Sequence, residues 1–131
     1  MLPVVLAAAA VTAVLGPLPD PKPTYGGHPR PQPQEELTLS YVAGAGSAMS
    51  VKLTCDPLGG GHPDPAEACA ALAGVDGDPG RIKRAGTACI LLYKPVTAEL
   101  TGTWEGRPVS WKQRFGNACE MRRATGVLFR F

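Results

Sequence analysis

The sequence predicts an antiparallel α+β domain of five strands and one or two helices, preceded by a segment of different character. Three observations carry this. Apolar and polar residues alternate in strand-length runs from Leu37 onward. One stretch, Asp64-Pro65-Ala66-Glu67, has the composition of a helix start. Four cysteines are available to staple a modest core: a folded part of under about a hundred residues buries only roughly 60–70% of the surface its unfolded chain exposes.

Residues 1–16 are almost wholly apolar, small residues surround Ala13 and Gly16, and no acidic side chain occurs before Asp20. This is the pattern of a secretory signal peptide, and the stretch is shorter than the roughly 20 apolar residues a membrane-crossing helix needs. Export places the cysteines where disulfides persist. Prolines then recur at positions 17, 19, 21, 23, 29, 31 and 33, a density that removes backbone donors and favours extended conformations over packing. Residues 17–36 are therefore read as a disordered spacer and residues 37–131 as the domain.

Within the domain, Leu37, Leu39 and Tyr41 alternate with polar or small residues, and Met49, Val51 and Leu53 do the same before Cys55. Each run has the period of a half-buried strand, with Gly44-Ala45-Gly46-Ser47 as the turn between them. Residues 56–63 read as a loop on their glycines and prolines. Asp64 is placed as an N-cap, Pro65 in the first turn and Glu67 at the capping-box position, with the helix running to about Leu72. Gly74, Gly77, Asp78 and Pro79 end that helix and open an irregular stretch. The best hairpin follows: Val96, Ala98, Leu100, Gly102 and Trp104 share one face, Glu105-Gly106 turns the chain, and Val109, Trp111, Gln113 and Phe115 alternate back. A short helix is placed over 118–123, and Val127, Phe129 and Phe131 are read as the fifth strand.

Composition and motif spacing exclude several kinds of function. A net charge of +2 with 18% charged residues fits neither a nucleic-acid-binding polyelectrolyte nor an acidic tail. Arg81, Lys83 and Arg84 cluster, as do Lys112, Arg114, Arg122 and Arg123, and each group reads as a solvated face. His28 lies in the proline-rich segment and His62 in a glycine loop, read as solvent-exposed; none of the four serines sits in a nucleophile elbow. Cys55, His62 and Cys69 lack the paired spacing of a zinc site, and no Lys-Ser/Thr follows Gly59, Gly60 and Gly61 to make a phosphate cradle. No metal or cofactor is expected. Trp104 and Trp111 fall on the alternating hairpin face, so core packing is preferred over stacking on a sugar or base. Disulfides are the better account of the cysteines, with three connectivities open.

One segment resists a local reading. In Thr87-Ala88-Cys89-Ile90-Leu91-Leu92-Tyr93-Lys94-Pro95, five consecutive apolar residues read by pattern alone as a buried strand. Against that, the segment follows a long glycine-rich irregular stretch, and Pro95 cuts it off almost at once.

A larger pattern surrounds it. Leu53-Thr54-Cys55, Gly61-His62-Pro63 before Ala68-Cys69, Cys89 through Tyr93 with Pro95-Val96, Thr103 through Ser110, Phe115 through Met121, and the closing Phe129-Arg130-Phe131 occur in this order. Together, with these cysteine separations, they resemble the Streptomyces subtilisin inhibitor family of exported serine protease inhibitors, over about residues 37–131. The resemblance implies a five-stranded antiparallel sheet with two short helices, disulfides Cys55–Cys69 and Cys89–Cys119, and a homodimer formed by packing sheet faces. It also turns the apolar run into a protruding reactive loop with Leu91-Leu92 as the scissile bond. Cys89, Ile90, Tyr93 and Lys94 then flank that bond in the protease's subsites, and Asn117 matches a family asparagine that braces the loop beside Cys119. Leu91 implies targets with apolar primary pockets, the subtilisin-like and chymotrypsin-like proteases, and a poor fit to trypsin. Ile90 stands where better-known members carry proline, which forgoes about 0.4–1 kcal/mol of rigidity.

The competing expectation is an exported module that binds a glycan or polyanion through Trp104, Trp111 and the arginine cluster.

Overall fold

The computed structural model describes residues 3, 9–17, 35–44 and 46–131. Residues 9–17 contain no helix or strand, and Val11, Val14 and Leu15 among them are exposed. Much of the expected signal peptide and nearly all of the expected spacer lie outside the described residues. No described helix is long and apolar enough to cross a membrane.

The domain is an α+β fold built on one five-stranded antiparallel sheet. Its strands are β1 (Glu36–Ala43), β2 (Ala48–Cys55), β3 (Leu58–Gly60), β4 (Val96–Trp104) and β5 (Arg107–Phe115), in the order β3-β2-β1-β4-β5. Helix α1 (Pro65–Ala73) follows β3, and α2 (Ala118–Thr125) follows β5. The register explains the core. Leu39 lies opposite Val51 on one side and Leu100 on the other, and Leu100 lies opposite Trp111. Side chains alternate across a strand, so Leu37, Leu39, Leu53, Val96, Ala98, Leu100 and Phe115 all point to one face, and all are buried. Ala68 and Leu72 of α1, Met121 of α2, and Leu128 and Phe129 complete that core. Each buried leucine contributes about 1.5–3 kcal/mol relative to exposure. The opposite face carries Thr38, Ser40, Lys52, Glu99 and Thr101, with Lys52 Nζ donating to Thr38 Oγ1 at 2.7 Å.

The β4–β5 hairpin follows the sequence pattern residue by residue. Its two-residue turn has positive φ at Glu105 and Gly106, the type I′ geometry that matches strand twist. β5 is an edge strand, and Pro108, Lys112 and Arg114 lie exposed on it, a composition that discourages pairing with other chains.

The fifth strand is not the one the alternation suggested. Val127, Phe129 and Phe131 do not form a strand; Gly126–Phe129 is a 3₁₀ turn. Leu128 and Phe129 are consecutive and both fully buried, which a strand facing a one-sided core cannot achieve. The fifth strand is instead β3, inside the stretch read as a loop. It has three residues, two of them glycine, so it has no alternation to detect. Its closing residue must be glycine: Gly60 has φ +93°, and a Cβ there would fall 2.2 Å from the Lys52 carbonyl oxygen.

Two further expectations change at α1. The Asp64 side chain makes no cap; its backbone N–H donates to His62 Nδ1 at 3.0 Å. His62 is not an exposed loop residue but 4% exposed, with Nε2 3.0 Å from the Leu128 carbonyl. The ring thus carries its proton on Nε2 and joins the loop before α1 to the carboxyl-terminal turn. The cysteines pair Cys55–Cys69, which ties β2 to α1, and Cys89–Cys119.

Candidate functional site

Between the 3₁₀ turn at Pro79–Arg81 and β4, residues 82–95 form neither helix nor strand. Their backbone groups must therefore find partners elsewhere. Ala85 N donates to Arg123 O at 2.9 Å, Lys94 N to Gly116 O at 2.8 Å, and Gly44 N to Pro95 O at 2.9 Å. These bonds and the Cys89–Cys119 disulfide fasten the segment to α2, to Gly116 where β5 turns into α2, and to Gly44 just after β1.

Between those anchors the chain projects. Ile90 is 86% exposed, Leu91 100%, Leu92 55% and Tyr93 72%. The buried-strand reading is overturned, because among the described residues the segment pairs with no strand and its apolar side chains do not reach the core. Leu92 N donates to Ile90 O at 2.8 Å, closing a three-residue turn centred on Leu91. Leu91 therefore sits at the apex, touching little of its own protein. A hollow of about 880 Å³, lined by Ile90, Leu92, Pro95, Val96 and Ala118 among others, lies beside the segment. The loop is an arch held by bonds rather than by packing.

Asn117 is the central brace. It is the N-cap of α2, its Oδ1 accepting from Glu120 N at 2.8 Å, so its side chain is fixed by the helix it starts. The remaining Nδ2 donates to Ile90 O at 3.2 Å and to Leu92 O at 2.8 Å. One amide thus grips the carbonyls on either side of Leu91. Cys119, two residues on, carries the disulfide to Cys89, so the sequence Asn117-Ala118-Cys119 supplies both a covalent and a hydrogen-bonded support. Sequence reading assembled these residues but missed three contacts. The Gly44 N–H and the Gly116 carbonyl are backbone groups with no side-chain signature. The third is Arg114, whose Nη2 donates to the Tyr93 hydroxyl at 3.1 Å.

The residues of the competing expectation do not converge. Trp104 is 5% exposed, its ring against Gly77, and Trp111 is half-buried between Phe115 and Phe129. Arg123 is engaged with Glu120 at 3.0 Å.

Residues 33–117 match the family model described as subtilisin inhibitor-like. The chain belongs to this family. Among its subtilisin inhibitor-like relatives, subtilisin inhibitor-like protein 1 of Streptomyces cacaoi is 40% identical over 98 residues, covering 72% of this chain and 89% of the relative. A protein named trypsin inhibitor STI2, from Streptomyces longisporus, is 43% identical over 100 residues, covering 72% of this chain and 69% of the relative. Among solved structures, Streptomyces caespitosus sermetstatin in complex with Bacillus licheniformis subtilisin superposes with a TM-score of 0.61 at 27% identity, over 73% of this chain and 97% of that one. Members of the subtilisin inhibitor-like family are protease inhibitors, not enzymes.

Proposed function

We propose that this subtilisin inhibitor-like chain is a secreted, extracellular inhibitor of subtilisin-like and chymotrypsin-like serine proteases, and that Leu91-Leu92 is the bond it presents. The observation that carries the reading is the combination at one residue: Leu91 is fully exposed while the carbonyls of both its neighbours are held by Asn117. A protease can engulf such a side chain without disturbing the inhibitor's core. An already ordered loop loses little conformational entropy on binding, so contact energy appears as affinity.

The same anchors account for inhibition rather than consumption. After a cut at Leu91-Leu92, the Cys89–Cys119 disulfide retains one end, and the Lys94 and Pro95 bonds with β4 retain the other. The new termini stay close, and religation competes with hydrolysis by proximity. Leu91 supplies a branched apolar side chain for a hydrophobic primary pocket, and it leaves the buried aspartate of a trypsin pocket unpaired. The relative named as a trypsin inhibitor fits this view, in which the residue at the apex, not the fold, sets the target.

Secretion is supported by the apolar residues 1–16 and by cysteines that are all paired among themselves, the state favoured in oxidising compartments. The homodimer belongs to the same proposal: among the described residues, helices cover only one face of the sheet and leave the other for a second copy. The test is inhibition of subtilisin, chymotrypsin and trypsin by the purified protein, followed by mass analysis of the slowly cleaved product. Inhibition of the first two with a cut after Leu91 is the expected result. Preferential inhibition of trypsin, or a cut at another bond, defeats the assignment.

A further inference from the structure

The support of the loop extends beyond Asn117 to the side chain at the end of β5. Alternation sends Phe115 into the core and Arg114 to the opposite face, where it lies opposite Thr97. From there Arg114 reaches the loop, and four neighbouring positions meet it in succession: Arg114 at Tyr93, Gly116 at Lys94, Asn117 at Ile90 and Leu92, and Cys119 at Cys89. Sorted by side of the Leu91-Leu92 bond, the disulfide and the Ile90 carbonyl hold the amino side. The Leu92 carbonyl, the Lys94 N–H and the Tyr93 hydroxyl hold the carboxyl side. The first two of those three use loop backbone. The third depends wholly on two side chains, and Tyr93, 72% exposed, has little packing to hold its ring.

We propose that Arg114 is a positioning residue for the leaving-group side of the reactive bond, acting through Tyr93. This rests on the Leu91-Leu92 reading above. In the forward step the protease serine oxygen bonds to the Leu91 carbonyl carbon, the Leu91–Leu92 C–N bond breaks, and the Leu92 nitrogen departs as an amine carrying a proton from the protease histidine. Religation reverses this: the Leu92 amine attacks the acyl carbon, expels the serine oxygen, and returns its proton to the histidine. Its rate depends on how long that amine stays beside the acyl group. Arg114 shortens the freed strand's reach by fixing the residue next to the amine. The intact inhibitor is thereby favoured over the cleaved form.

The experiment incubates the full protein with subtilisin to equilibrium and measures the ratio of cleaved to intact inhibitor by mass spectrometry. Arg114→Ala removes the donor; Tyr93→Phe removes only the hydroxyl. Each is expected to raise the ratio roughly twofold to fivefold, the scale of one exposed charged hydrogen bond, and the double variant to do no more than either single one. A cut at Leu91-Leu92 with an unchanged ratio in both single variants, or with effects that simply add, overturns the role of Arg114 alone. A wild-type cut elsewhere overturns the reactive-bond reading and this role together.

Discussion

Asn117→Asp isolates the brace from the helix it caps. The exchange keeps the oxygen that accepts from Glu120 N at 2.8 Å, so α2 retains its N-cap. It replaces Nδ2, which donates to Ile90 O at 3.2 Å and Leu92 O at 2.8 Å, with an oxygen facing two carbonyls. Two exposed hydrogen bonds are lost at about 0.5–1 kcal/mol each, and the repulsion that replaces them adds to the loss. The loop should loosen by about 1–2 kcal/mol, which weakens inhibition roughly fivefold to thirtyfold. Tight-binding titration against subtilisin near pH 8, where an aspartate is ionised, reads the inhibition, and thermal unfolding reads the stability. The midpoint should fall by roughly 4–8 °C for each kcal/mol the folded state loses. Asn117→Ala provides the contrast, losing the cap as well and about 1 kcal/mol of fold stability. If the aspartate variant unfolds normally and inhibits like the wild type, the loop owes its shape to the disulfide alone and the reasoning fails.

Leu91→Lys should shift preference toward trypsin by at least about tenfold relative to subtilisin, since a cation at the apex satisfies a trypsin pocket and is penalised in an apolar one; equal inhibition by both proteins would remove Leu91 from its role. Replacing Cys89 and Cys119 together by serine opens a link across 30 residues, worth about 3–4 kcal/mol, and denaturant unfolding should show that loss while the variant becomes a rapidly cut substrate. Gly77→Ala places a Cβ 2.6 Å from Trp104 Cγ at a residue with φ +79°, so a loss of about 2 kcal/mol or more is expected in the unfolding free energy. His62→Ala strips partners from Leu128 O and Asp64 N and should lower stability by about 2–3 kcal/mol, with inhibition retained while the variant is folded. Loss of inhibition in that folded variant would assign His62 more than a structural part.

Much of the fold was legible because it is written in alternation. Leu37, Leu39, Val96, Ala98 and Leu100 announce their face, and the Glu105-Gly106 turn announces the hairpin. The misreadings share a cause. β3 has too few side chains to alternate, and Val127, Phe129 and Phe131 alternate by accident, their neighbour Leu128 being buried as well. His62 looked idle because its partners, Leu128 O and Asp64 N, are backbone groups whose nearness only the folded chain creates.

The candidate site divides the same way. Sequence by itself determined which residues are apolar, where Pro95 stops the run and that Cys89, Asn117 and Cys119 are present; by the order of its motifs it also pointed to the family. It could not determine which way Leu91 faces, since an apolar run reads alike as core strand and as exposed apex. Tertiary structure decided that, for a physical reason. Among the described residues the segment has no strand beside it to satisfy its backbone, and the partners it does find, Gly44, Gly116 and Asn117, all lie at the base of the arch. Anchored there, and with a disulfide at one end, the apolar residues between can only point outward.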